Sequence, residues 1–144
     1  MNNNFALIGA SGYIAKKHIN AIKENGGNLI AFTDPHDNVG YIDSFYPNAN
    51  YYKEIERLDR NISRLKIKKI DINYISICSP NYLHDSHIRF ALKNNANAIC
   101  EKPLVIKYEH LLHLEHLRNE FGKEIYVILQ LRHLPQVKKL KEDY

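Results

Sequence analysis

Phe5-Ala6-Leu7-Ile8-Gly9-Ala10-Ser11-Gly12-Tyr13-Ile14-Ala15 is the stretch on which the reading of this chain turns. A short apolar run enters a glycine turn, and the turn opens a segment with helical spacing. That order makes room for a pyrophosphate, because the unpaired N–H groups of a helix's first turn and the helix dipole favour negative charge. Relative to the common G-x-G-x-x-G/A spacing, one extra residue separates Gly9 from Gly12. Gly9 is expected to make the tight turn, Gly12 to let backbone approach phosphate, and Ala15 to let the helix pack close to the strand. Gly9, Ser11, Gly12, Tyr13 and Ile14 are the expected cofactor contacts here.

Outward from this turn, strand-like and helix-like segments alternate. Strands are expected at residues 4–9, 28–33, 51–52, 72–78, 97–101 and 124–131. Helices are expected at 13–25, 38–46, 54–66, 82–93 and 107–121, and again from Leu134 onward. Asn25-Gly26-Gly27, Pro47, Ser79-Pro80-Asn81, Asn94-Asn95, Lys102-Pro103 and Gly122 punctuate them. The alternation predicts an α/β fold, a Rossmann doubly wound parallel sheet of about six strands with helices on both faces.

The chain has 144 residues, enough for one dinucleotide domain and too few for a second, substrate-binding one. Hydrophobic residues make up 44% and charged residues 25%, so a packed core is expected rather than disorder. The net charge of +4 is spread along the chain. No basic stripe is interleaved with aromatics, so a nucleic-acid partner is not expected. Cys78 and Cys100 each end a buried strand and read as reduced thiols rather than a disulfide or metal framework. The N-terminus lacks a basic n-region and no apolar run approaches membrane-spanning length, so the chain reads as cytoplasmic, with no membrane partner.

Asp34 closes the second strand 22 residues beyond Gly12. An acid there accepts hydrogen bonds from the adenosine ribose and repels a 2′-phosphate, which favours NAD over NADP. Ser79, Pro80 and Asn81 follow the fourth strand, at the sheet edge where open α/β folds bind ligands. Ser79 and Asn81 also suit a helix cap. His84 falls in the next helix's first turn, facing either crevice or solvent. Glu101-Lys102-Pro103 ends the fifth strand at the same edge. A partly desolvated Lys102 there has a lowered pKa and can take part in proton transfer; the tripeptide also suits a solvated turn. His110, His113 and His116 recur every third residue, but such steps drift about 60° around a helix, and no metal site is expected.

In this order, Ile8-Gly9 through His18, Asp34, Ser79-Pro80-Asn81-Tyr82-Leu83-His84, Glu101-Lys102-Pro103 and Gln130-Leu131-Arg132-His133-Leu134-Pro135 resemble the glucose-fructose oxidoreductase / inositol dehydrogenase (Gfo/Idh/MocA) family. The resemblance covers essentially the whole chain. Within the family, Phe5–His18, Tyr74–His84, Ile99–Val105 and Ile128–His133 look most like the UDP-N-acetylglucosaminuronate 3-dehydrogenases of bacterial surface-polysaccharide (lipopolysaccharide O-antigen) synthesis. The extra residue in the glycine turn looks like that branch.

The resemblance implies oxidation of a sugar 3-hydroxyl with hydride going to NAD. It implies Lys102 as the catalytic lysine beside nicotinamide and substrate, and a candidate cis bond at Lys102–Pro103. Ser79, Asn81, His84 and Glu101 match cofactor-side positions, while Arg132 and His133 match the exit toward a second domain. It divides the chain into an NAD-binding domain at residues 1–123 and, at 124–144, a last strand and helix leading to a substrate domain that these residues do not include. The expectation is therefore an NAD(H)-binding half, incomplete as a catalyst alone, with a UDP-sugar substrate and either a homo-oligomer or a partner chain supplying the rest. The alternative is a free-standing NAD-binding or redox-sensing module.

Overall fold

The computed structural model describes residues 3–142. Six parallel strands form one sheet: β1 (Asn4–Ile8), β2 (Asn28–Thr33), β3 (Asn50–Tyr52), β4 (Tyr74–Ile77), β5 (Asn97–Cys100) and β6 (Ile125–Val127). Their spatial order is β3-β2-β1-β4-β5-β6. The helices are α1 (Ala15–Glu24), α2 (Ile55–Ile67), α3 (His84–Lys93), α4 (Tyr108–Phe121) and α5 (Pro135–Glu142). The strand order reverses between β1 and β4, and in open α/β sheets ligands bind at such a switch point, beyond the strands' carboxyl ends.

The period-2 alternation of the strands builds two cores. Ala6, Ile8, Ile75, Ile77, Ala98 and Cys100 face α2, α3 and α4, meeting Leu58, Ile62, Ile88, Leu92 and Leu114. On the other face, Leu7, Leu29 and Phe32 meet Ala15 and Ile19 of α1, with Val39 and Ile42. Helices therefore cover both faces, as the sequence predicts.

The differences from expectation have local causes. Residues 40–44 form a short 3-10 turn rather than the expected helix over 38–46. The expected helix at 82–93 begins as a 3-10 turn at Asn81–Leu83 and turns α-helical only at His84. The glycine turn extends to Ile14, so α1 starts at Ala15, two residues later than expected. The fourth strand narrows from 72–78 to Tyr74–Ile77, because β1 pairs only with that span.

The sixth strand is an edge strand whose one neighbour among the described residues is β5. Its ladder ends where Ile128 N–H reaches Cys100 O, 2.9 Å away, and the neighbouring chain turns off into Glu101-Lys102-Pro103. The apolar run beyond it becomes a 3-10 turn at Gln130–His133, with Leu131, Leu134, Val137 and Leu140 exposed. That turn carries Arg132 and His133.

Candidate active site: a dinucleotide cleft at the switch point

The glycine turn is held from below. The carbonyl of Thr33, the last residue of β2, accepts the N–H groups of Gly9 (3.0 Å) and Ala10 (3.3 Å). Gly9 adopts φ +85°. A Cβ on it would lie 2.5 Å from the Cys78 carbonyl carbon and the Ser79 nitrogen, so this glycine lets the turn press against the exit of β4 as well as bend. Ala15 is fully buried, which seats α1 close on the sheet. The Tyr41 hydroxyl donates to the Ala10 carbonyl at 2.8 Å. Burial foremost, then nearby Cys78 and Asp34, pushes this phenol up to about 12, so it remains a donor.

Asp34 is 5% exposed, and its carboxylate ties two segments together. Oδ2 accepts the Ser11 N–H at 2.9 Å, and Oδ1 accepts the His36 N–H at 2.8 Å. Each oxygen keeps a second lone pair for a ribose hydroxyl. The Tyr51 hydroxyl donates to the Asp34 carbonyl at 2.9 Å and fixes the strand exit.

A cleft of about 810 Å³ opens above these groups. Gly9, Ser11, Gly12, Tyr13, Ile14, Asp34, Ser79 and Pro80 line it, together with Thr33, His36, Tyr82, Leu83 and His87. The N–H groups of Tyr13 and Ile14 make no hydrogen bond among the described residues, and α1 has no acid in its first turn. Free donors at a helix N-terminus whose own first turn carries no acid are what a pyrophosphate requires, so the residues present fit a dinucleotide.

The remaining expected residues lie elsewhere. Asn81 is exposed at the start of the 3-10 turn and does not line the cleft. His84, open between crevice and solvent in the sequence, faces neither. It is fully buried, its Nδ1 2.6 Å from Pro103 O and its Nε2 2.9 Å from Ser79 O. The ring thus spans the carbonyls of two loops 19 and 5 residues away in sequence. His84 thereby clamps the loop after β4 to the loop after β5.

Glu101 is buried behind the cleft rather than in its wall. Lys102 is exposed on the β5 exit loop, at the same sheet edge, and the Lys102–Pro103 bond is cis as the resemblance implied.

His87 is a cleft residue that the sequence reading passed over, being one more polar position on a helix. Its Nδ1 lies 2.7 Å from Ser79 Oγ, and burial foremost, then His84, lowers it to about 4. It is a neutral ring at neutral pH. Its place one turn after His84 was the only available signal. Burial above all raises the thiol of Cys78 well above its ordinary value and that of Cys100 to about 12, with Glu101 adding to both; neither is a ready nucleophile. The three histidines of α4 do not converge: His110 lies 3.8 Å from Asp85, while His116 lies 3.9 Å from Glu120.

Residues 3–129 match the Gfo/Idh/MocA model, described as oxidoreductase family, NAD-binding Rossmann fold. The chain belongs to that family. It is an NAD-binding Rossmann domain, and NAD is its cofactor.

Among solved structures it is similar to the WlbA (WbpB) dehydrogenase of Thermus thermophilus, in complex with NAD and UDP-GlcNAcA. The two share 45% identity over 98% of this chain and 46% of that one, with a TM-score of 0.95. A WlbA dehydrogenase from Chromobacterium violaceum shares the fold at 19% identity, covering 98% of this chain and 39% of that one, with a TM-score of 0.82. The 2,7-anhydro-N-acetylneuraminate hydratase of Escherichia coli is 25% identical over 99 residues, which are 67% of this chain and 27% of that protein. This chain thus spans less than half the length of these relatives. Among the described residues no helix is long and apolar enough to cross a membrane.

Proposed function

We propose that this chain is the cofactor-holding half of a nucleotide-sugar oxidoreductase that oxidises the 3-hydroxyl of a UDP-N-acetylglucosaminuronate-type sugar in bacterial surface-polysaccharide synthesis. The observation that carries this reading is the 45% identity, through 98% of the chain, to a dehydrogenase solved with NAD and UDP-GlcNAcA. NAD, when bound, would supply the hydride acceptor. The chain's own residues do the holding: Tyr13 and Ile14 N–H groups meet the pyrophosphate, and Asp34 accepts from the adenosine ribose. Gly9, Ser11, Gly12, Ser79 and Pro80 shape the floor between them, and His87 adds a neutral hydrogen-bonding ring beside Ser79.

The strand order lays these groups out in one direction. Asp34 follows β2, the glycine turn follows β1, Ser79 follows β4 and Lys102 follows β5. A dinucleotide with its adenosine at Asp34 and its pyrophosphate on the turn extends toward Lys102. We assign Lys102 as the group that takes the sugar hydroxyl proton, Glu101 as its buried neighbour, and Asn81 and His84 as shaping the loops between.

We assign the sugar wall and the assembly surface to the part of the relatives that these residues do not match. A second copy or a separate chain supplying that part is the partner this reading calls for. A cytoplasmic reaction is part of this reading, and the two free, buried cysteines support it.

Calorimetry of the purified chain with NAD and NADH, followed by incubation with NAD and UDP-GlcNAcA, tests the reading. We expect binding of both cofactors and little or no NADH formation from these residues alone. Failure to bind either cofactor overturns the cofactor role, and rapid NADH formation overturns the assignment of the sugar wall to other residues.

A further inference from the structure

Helix α1 presents His18 one turn after the pyrophosphate-facing end, and the ring lies on the α1 side of the sheet between β4 and the β5 exit. His18 is 9% exposed, Ser76 1% and Glu101 8%. Nδ1 of His18 lies 2.6 Å from Ser76 Oγ on β4, and Nε2 lies 3.0 Å from Glu101 Oε1. The second Glu101 oxygen, Oε2, accepts the backbone N–H of Lys102 at 3.4 Å. Three elements and the amide of Lys102 are joined in one line of hydrogen bonds. With Nε2–H given to the carboxylate, the neutral ring accepts the Ser76 hydroxyl at Nδ1 and the protonated ring donates to it; the serine rotor serves both. Beside this line runs a groove of about 370 Å³, bordered by Ile14, Ile22, Ile99 and Ile128, so packing surrounds the ring on one side only and the hydrogen bonds set its angle.

We propose that His18 is a positioning residue for the nicotinamide half of the cofactor: by holding Glu101 it seats the Lys102 backbone, and with it the loop that meets that half. This rests on the dinucleotide reading above, in which the adenosine end lies at Asp34 and the other end at Lys102. A buried carboxylate deprived of its partner takes up a proton or turns toward water. Either change withdraws the acceptor from the Lys102 amide, while Asp34 and the glycine turn keep their own bonds.

Two ligands separate the halves. ADP-ribose carries the adenosine and pyrophosphate groups of NADH without the nicotinamide. Titration of the purified chain with each, for the unmutated protein and for His18→Leu, His18→Gln and Glu101→Gln, is the test. We expect His18→Leu and Glu101→Gln each to weaken NADH about tenfold and ADP-ribose by less than twofold. His18→Gln, whose amide reaches the carboxylate, should stay within about threefold for NADH. The double variant His18→Leu/Glu101→Gln should be no weaker than either single one, because both cut the same line.

Equal losses for the two ligands reduce His18 to a structural residue and overturn the proposal, as do unchanged NADH affinity or additive losses. If His18→Leu does not fold, His18→Gln and Glu101→Gln decide by the same comparison of NADH with ADP-ribose. An unmutated chain that binds neither ligand sinks the dinucleotide reading and this inference with it. One that binds both, with variants insensitive to the nicotinamide, sinks this inference alone.

Discussion

The carboxylate of Asp34 accepts the backbone N–H of Ser11 at 2.9 Å, so the acid just beyond β2 also holds the glycine turn that follows β1. Its other oxygen accepts the His36 N–H at 2.8 Å. Asp34→Ala therefore removes a ribose acceptor and leaves two backbone donors without partners. Hydrogen bonds to a charged group contribute about 1.5–3 kcal/mol each. We expect NAD affinity to fall roughly 10- to 100-fold and the bias against NADP to relax, both read by calorimetry. Unchanged affinity for both cofactors would remove Asp34 from the site.

Gly9 should be the least replaceable of the glycines with positive φ. A Cβ there meets backbone atoms of Cys78 and Ser79 at 2.5 Å, whereas at Gly26, φ +68°, it meets nothing within 4 Å. Left-handed backbone costs an L-residue about 1–2 kcal/mol, and forced overpacking adds about 1–3 kcal/mol. In urea unfolding, Gly26→Ala should lose only the first amount, and Gly9→Ala should lose both or fail to fold. Equal midpoints for the two variants would contradict the close approach at β4.

His84→Leu leaves the buried carbonyl of Ser79 and the partly exposed carbonyl of Pro103 without their ring partner. A buried group so left costs about 1–3 kcal/mol, and one that water reaches costs less. We expect a clear drop in the unfolding midpoint, and faster hydrogen exchange at residues 79–83 and 101–104 than at β1. Exchange that accelerates uniformly would show that His84 supports the core at large rather than the clamp between two loops.

The neutral His87 gives a pH dependence of defined sign. Burial lowers the ring from 6.5 to about 4, so between those values the unfolded chain takes up a proton that the folded chain refuses. Stability from this group is fully present above about 6.5 and declines as pH falls toward 4. Denaturant unfolding at pH 7 and pH 5 should show a smaller acid loss for His87→Asn than for the unmutated chain. The same loss in both would mean that His87 titrates normally in the folded state.

Legibility from the sequence followed the range of the interaction. The glycine turn, β2 ending at Asp34, and the sheet's six strands were readable because apolar periodicity, glycine and proline act within a few residues. The expected helix over 38–46 misled because a short amphipathic run with Pro47 after it suits a 3-10 turn as well as an α-helix. The apolar run at 124–131 read as one strand, but only a neighbour's ladder sets where an edge strand ends, and that neighbour is β5. In the sequence His18 is only the end of the segment that carries the resemblance. Its partners Ser76 and Glu101 are 58 and 83 residues away, and no local pattern announces them.

By itself, then, the sequence determined the alternation of strands and helices, the turn at Gly9–Ala15, the acid at Asp34 and the motif residues at two further strand ends. These depend on side-chain period and backbone preference, which are local. Only the tertiary structure decided which motif residues line the cleft and which lie behind it. Ser79 and Pro80 line it, whereas His84 ties two loops together and Glu101 ties helix α1 to the β5 exit. The order β3-β2-β1-β4-β5-β6 brings together strand ends far apart in the chain, and hydrogen-bond partners at that distance are set by packing rather than by spacing.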